Sequence, residues 1–93
     1  MDRATHVVYI LKSFNHPTKC YVGVTQNLQN RLHEHNSKLS NYTRQYAPWY
    51  VETYIVFKDK KLAEHFEKYL KKGSGQAFLT KRLLPTIIKA QAK

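Results

Sequence analysis

His6-Val7-Val8-Tyr9-Ile10-Leu11 and Cys20-Tyr21-Val22-Gly23-Val24-Thr25 decide the fold. Both runs are rich in β-branched and aromatic residues and read as strands. Asn15, His16 and Pro17 lie between them and read as a loop. Strands so close in sequence pair as an antiparallel hairpin. With the loop centred near Asn15, Tyr9 and Tyr21 become cross-strand neighbours on one face. Gly23, two residues after Tyr21, points to that face, where the missing side chain leaves room for a ligand or another backbone. The same residues also suit a core aromatic pair beside a bulge.

Outward from the hairpin, residues 50–57 read as a third strand, Tyr-Val-Glu-Thr-Tyr-Ile-Val-Phe. A short helix is expected over about 27–36, capped by Asn27, with Leu28 and Leu32 one turn apart on its apolar side. Residues 37–49 read as a polar, aromatic loop. A second helix spans about 60–72. Asp59 can cap it, Leu62, Ala63, Phe66, Tyr69 and Leu70 form its stripe, and Gly73 ends it in the left-handed conformation. A third helix runs from Ser74 to before Pro85 and buries Phe78, Leu79 and Leu83. The order β-β-α-β-α-α makes an α+β fold with helices covering a small sheet. We expect a single domain over residues 1–93, with its core at about 6–84 and a fraying tail at 85–93.

Sixteen Lys and Arg against six Asp and Glu give the chain a net charge of +10. Such a balance favours a polyanion, since each phosphate contact releases condensed counterions. No apolar stretch is long enough for a membrane helix, and the start of the chain does not read as a signal peptide. Cys20 is the lone cysteine, so no internal disulfide forms and a cytoplasmic setting fits.

Several side chains can carry chemistry. Arg31 and His35 are four apart and share a helix face. Arg31 borders the apolar side, where a guanidinium suits a phosphate clamp, though it also suits a solvated arginine. His35 reads as a proton shuttle, a phosphate contact, or a helix C-cap. Glu67 lies at the edge of the second helix's stripe, where it either takes a metal or pairs with Lys71; Glu64 lies nearly opposite, in solvent. His6, His16, His33 and His65 do not make a zinc spacing with the rest. So few acids limit a metal site to one ion and one protein carboxylate. Aromatic and basic residues interleave around Tyr42 and Arg44, which with Lys38 and Lys71 are candidate nucleic-acid contacts.

In chain order, Val7-Val8-Tyr9, Tyr21-Val22-Gly23, Arg31 with His35, and Glu67 followed by Leu70 resemble the GIY-YIG nuclease superfamily. The stretches Tyr21–Thr25, Arg31–Asn36 and Tyr42-Thr43-Arg44 are similar to the small stand-alone bacterial members, relatives of the N-terminal nuclease domain of the excinuclease C subunit. The resemblance implies a three-stranded antiparallel sheet flanked by helices, and hydrolysis of DNA with one Mg²⁺ or Mn²⁺, with a place in DNA repair or recombination. It implies Tyr9 as general base with Tyr21 beside it, Arg31 on the scissile phosphate, His35 assisting and Glu67 on the metal. A non-catalytic nucleic-acid-binding module of the same fold is the alternative, and a protein partner for targeting is compatible with either. The first motif lacks its glycine and the second reads Tyr-Val-Gly. Arg31 and a nearby cation are expected to lower the Tyr9 pKa.

Overall fold

The computed structural model describes residues 5–37 and 41–83. Strand β1 (His6–Ser13) is the middle of a three-stranded sheet, with β2 (Cys20–Thr25) on one side and β3 (Trp49–Phe57) on the other, both antiparallel to it. From Val7 to Ser13 every residue of β1 is buried, which explains why its apolar run shows no alternation. Both faces are covered, and the two-residue period of the strand divides the core. Val8, Ile10 and Val22 pack with Ala63, Leu70 and Leu79 on one face. Val7, Tyr9, Leu11 and Trp49 pack with Leu28 and Leu32 on the other.

The second face is covered by α1 (Leu28–Asn36), whose start is fixed by Asn27: its Oδ1 accepts from the Asn30 amide at 3.0 Å. Its end is tied to β3 through Asn36. The Asn36 Oδ1 accepts from the Trp49 amide at 2.5 Å, and its Nδ2 donates to the Trp49 carbonyl at 3.1 Å. These two bonds hold α1, and with it Arg31 and His35, at a set height over the sheet. The first face carries α3 (Lys60–Leu70), α4 (Gly73–Phe78) and a π-helical segment, Leu79–Leu83. Thr53 of β3 donates to the Leu83 carbonyl at 2.7 Å and anchors that segment.

The structure departs from the sequence reading at several points. Residues 41–45 form a short helix, α2 (Asn41–Gln45), inside the expected loop, where the Trp49 indole donates to the Thr43 carbonyl at 2.8 Å. The hairpin is centred on His16, so Tyr9 faces Gly23 directly and Tyr21 faces Leu11, one diagonal step away. Helix α3 stops at Leu70, and Asp59 occupies its N-cap without a side-chain capping bond. Leu62 is 54% exposed and Tyr69 44%, so the buried stripe narrows to Ala63, Phe66 and Leu70. The left-handed Gly73, at φ +64°, starts α4 rather than ending α3. Phe78 stays at the surface because the winding changes just after it, where Leu79 turns inward. The expected tail at 85–93 and Lys38 lie outside the described residues.

Candidate active site

Tyr9 is fully buried at mid-strand, and its ring lies across Gly23 of the neighbouring strand. A Cβ at position 23 would stand 2.6 Å from the phenol Cζ and 2.9 Å from Cε1. The room left by the glycine is thus filled by the Tyr9 ring, and the phenol is carried toward the outer edge of β2. Tyr21 follows on that edge, its ring centroid 6.3 Å from that of Tyr9. His35 enters from α1, only 5% exposed, with Nε2 3.1 Å from the Tyr9 hydroxyl and its ring 4.7 Å from that of Tyr21. Of the readings open to His35, the helix cap is therefore set aside: its ring points into the sheet.

Two charged groups, on opposite helices, act on the Tyr9 hydroxyl through their charge. Arg31, half-exposed on α1, hydrogen-bonds the phenol and also pairs with Glu34, Nε to Oε1 at 3.2 Å. Glu67 of α3 is only 14% exposed and is ion-paired with Lys71, one turn on. Burial pushes the Tyr9 pKa up to about 12, with Tyr21 and Glu67 adding to the rise and Arg31 opposing it. The expected lowering by Arg31 is real in direction but loses to desolvation. At neutral pH Tyr9 is a protonated phenol. His35 moves the other way: burial, then the Arg31 charge, holds its pKa below the ordinary 6.5 against the pull of Glu34. A protonated phenol beside an uncharged imidazole is a donor facing an acceptor when Nδ1 carries the imidazole proton.

Among the described residues no three His, Cys, Asp or Glu side chains group to hold a metal. Glu67 offers a single hard oxygen donor at the rim. That suits Mg²⁺ or Mn²⁺, since Mg²⁺ commonly keeps several waters and binds through one or two carboxylates plus substrate phosphates. Lys71 is half-exposed, so its pairing with the carboxylate is partly screened by solvent and weak. Glu64 is half-buried, not in solvent as its helix phase suggests. It lines a cleft of about 220 Å³ with His6, Thr25, Arg31 and Lys60. Tyr42, 41% exposed on α2, stands 6.2 Å from Tyr21 between ring centroids, and its hydroxyl donates to the Cys20 carbonyl at 3.3 Å. Arg44 is exposed on the same helix. Sequence reasoning gave Asn36, the last residue of the stretch Arg31–Asn36, no role of its own, though it positions α1; it missed Lys60 and Gln76, which line the two cavities beside the site and which neither periodicity nor motif marks.

Residues 5–81 match the family model described as the GIY-YIG catalytic domain. The chain belongs to the GIY-YIG family. A solved structure agrees in fold. The solution NMR structure of the UPF0213 protein BH0048 from Bacillus halodurans superposes with a TM-score of 0.51 at 25% identity, covering 85% of this chain and 86% of that one. No curated protein is significantly similar in sequence. The GIY-YIG domain here is α+β, with a nuclease-type fold and the element order read from the sequence. Val7, where the first motif's name has glycine, packs into the cluster with Tyr9, Leu11 and Trp49. No helix among the described residues is long and apolar enough to cross a membrane.

Proposed function

We propose that this GIY-YIG domain is an endonuclease that hydrolyses DNA phosphodiester bonds with one bound divalent ion, Mg²⁺ or Mn²⁺. The observation that carries the reading is His35 against the Tyr9 hydroxyl, with Arg31 and Glu67 acting on that hydroxyl through their charges from two helices, in a chain of charge +10. Arg31 holds the scissile phosphate and opposes the negative charge that grows on it in the transition state. Glu67, released from Lys71, holds the metal. When bound, a divalent ion supplies Lewis-acid stabilisation of the leaving oxygen.

Tyr9 is too basic in its ionised form, at a pKa of about 12, to stand ready as phenolate at neutral pH. It acts instead as a relay. When the half-exposed Arg31 turns to the phosphate and uncovers the buried phenol, water reaches it; as the water oxygen bonds to phosphorus and the P–O bond to the leaving nucleotide breaks, the Tyr9 oxygen takes the water's proton. In the same step Tyr9 passes its own proton to Nε2 of the uncharged His35, 3.1 Å away. The leaving alkoxide takes a proton from solvent. Tyr21, against both rings, keeps the attacking water and the imidazole in line.

Single-turnover cleavage of DNA with saturating protein tests this. Tyr9→Phe should fold and bind DNA as wild type does while cleavage falls by about 10² or more. Arg31→Ala should weaken binding somewhat and cleavage much more. In the relay, the rate rises on the acid side, below the ordinary histidine pKa of 6.5, and levels off above it. If phenolate were required, the rate would climb about tenfold per pH unit toward pH 12. Wild-type protein that binds DNA but cuts no substrate in Mg²⁺ or Mn²⁺ would replace the nuclease with a non-catalytic binding module.

A further inference from the structure

A cavity of about 270 Å³ opens beside the catalytic set, and no step of the proposed hydrolysis uses it. Tyr21 and Tyr42 give it aromatic wall, Leu70 and Leu79 give it aliphatic wall, and Lys71 and Gln76 supply its polar groups. Two of these residues already belong to the site. Tyr21 touches His35, and Lys71 is the ion-pair partner of Glu67. Whatever enters the cavity therefore sits next to the phosphate held at Arg31 and Glu67.

The lining defines its occupant. Aromatic and aliphatic walls accept a flat apolar face, and the Gln76 amide offers both donors and an acceptor to a polar edge. The Lys71 ammonium suits a phosphate attached to the same molecule. A nucleobase joined to the backbone being cut has these properties together. A base inside a duplex does not reach such a cavity, because its faces are stacked and its edge is paired. The aromatic line also continues away from the cavity. Tyr42 lies 5.3 Å from Tyr46, Tyr46 lies 5.2 Å from His16, and the Lys19 ammonium sits over the Tyr46 ring at 5.4 Å. A line of aromatic rings with a cation over one of them has the make-up of the stacking tracks of single-strand binders.

We propose that this cavity takes one unpaired nucleobase next to the scissile phosphate, so that the DNA strand is single-stranded or unwound where it is cut. The proposal rests on the endonuclease reading and adds the substrate's form.

Binding measured by fluorescence anisotropy in EDTA, where nothing is cut, tests it on the intact protein. The probes are a labelled oligothymidylate, an abasic strand with the same phosphates, and a blunt duplex of equal length. The oligothymidylate should bind about tenfold more tightly than the abasic strand, a difference wild-type protein alone reveals. Tyr42→Ala should cost about tenfold on oligothymidylate and little on duplex, while Tyr42→Phe keeps wild-type affinity. Tyr54→Ala, an exposed tyrosine on β3 with 58% exposure, should change nothing. Equal affinity for the abasic strand and oligothymidylate, or an indifferent Tyr42→Ala, overturns the base pocket. Tyr9-dependent cleavage of duplex would then still stand for the nuclease. Absence of binding to all three probes would overturn the nuclease reading itself.

Discussion

Gly23→Ala isolates the contact that carries Tyr9 to the edge of β2. In an ordinary strand this change is mildly stabilising, by about 0.5–1 kcal/mol, because glycine loses more backbone freedom on folding. Here the new methyl would stand 2.6 Å from the Tyr9 Cζ. The ring has nowhere to go, since it is fully buried and hemmed by Tyr21 and His35. Overpacking costs about 1–3 kcal/mol, and against a ring this close and unable to move it falls in the upper part, about 2–3, so the net loss is about 1–2.5 kcal/mol. For a domain of this size that is a fall of about 4–20 °C in Tm, read by circular dichroism. The same shift separates the phenol from His35, and cleavage should fall with it. In a Tyr9→Ala background the obstruction is gone, and Gly23→Ala should become stabilising. If Gly23→Ala melts at or above wild type while Tyr9 is present, the ring does not occupy the place argued for it.

Two other measurements probe the charges. Tyr9 keeps its proton in the fold up to a pKa of about 12 against 10.0 when free, so the unfolded chain gives up that proton first and stability falls as pH rises between them. Urea unfolding should show wild type losing about 2–3 kcal/mol more than Tyr9→Phe across that range; parallel curves would dismiss the burial argument. Saturable Mn²⁺ binding, followed by electron paramagnetic resonance, should vanish in Glu67→Gln and survive in Glu64→Gln. It should tighten about twofold in Lys71→Ala, the scale of one i,i+4 pair. Loss with Glu64→Gln alone would move the ion into the cleft beside Arg31.

The strands were legible because β1 is buried on both faces, which requires an uninterrupted apolar run, and that run is printed in residues 6–11. Asn27 announced its helix because a cap is a local bond, within three residues. Helix phase and motif order mark Arg31 and Glu67 as candidates. Long-range relations left no local mark. The Tyr9–His35 bond joins residues 26 apart, and the Asn36–Trp49 pair joins residues 13 apart. Glu64 was misplaced because helix phase describes a helix against a flat layer. The edge of β2 is where that layer ends, and Arg31 comes down from the other face to meet it. The rise in the Tyr9 pKa depends on total burial, which no neighbour in sequence reports.

Strand order β2-β1-β3 has a consequence for the chain as it is made. Of these three strands, the one synthesised first is the centre of the sheet. It finds β2 almost at once, through the loop ending in the Lys19 amide bond to the His16 carbonyl at 2.8 Å. Its other edge waits for β3, which is complete only at Phe57. At about 5–20 residues per second the hairpin spends roughly 2–6 seconds with that apolar edge unpaired. During that interval the nascent chain offers an open strand, a template for pairing with another copy. Trp49 and Asn36, which lock β3 beside β1, are thus also what ends the period in which neighbouring nascent chains can join.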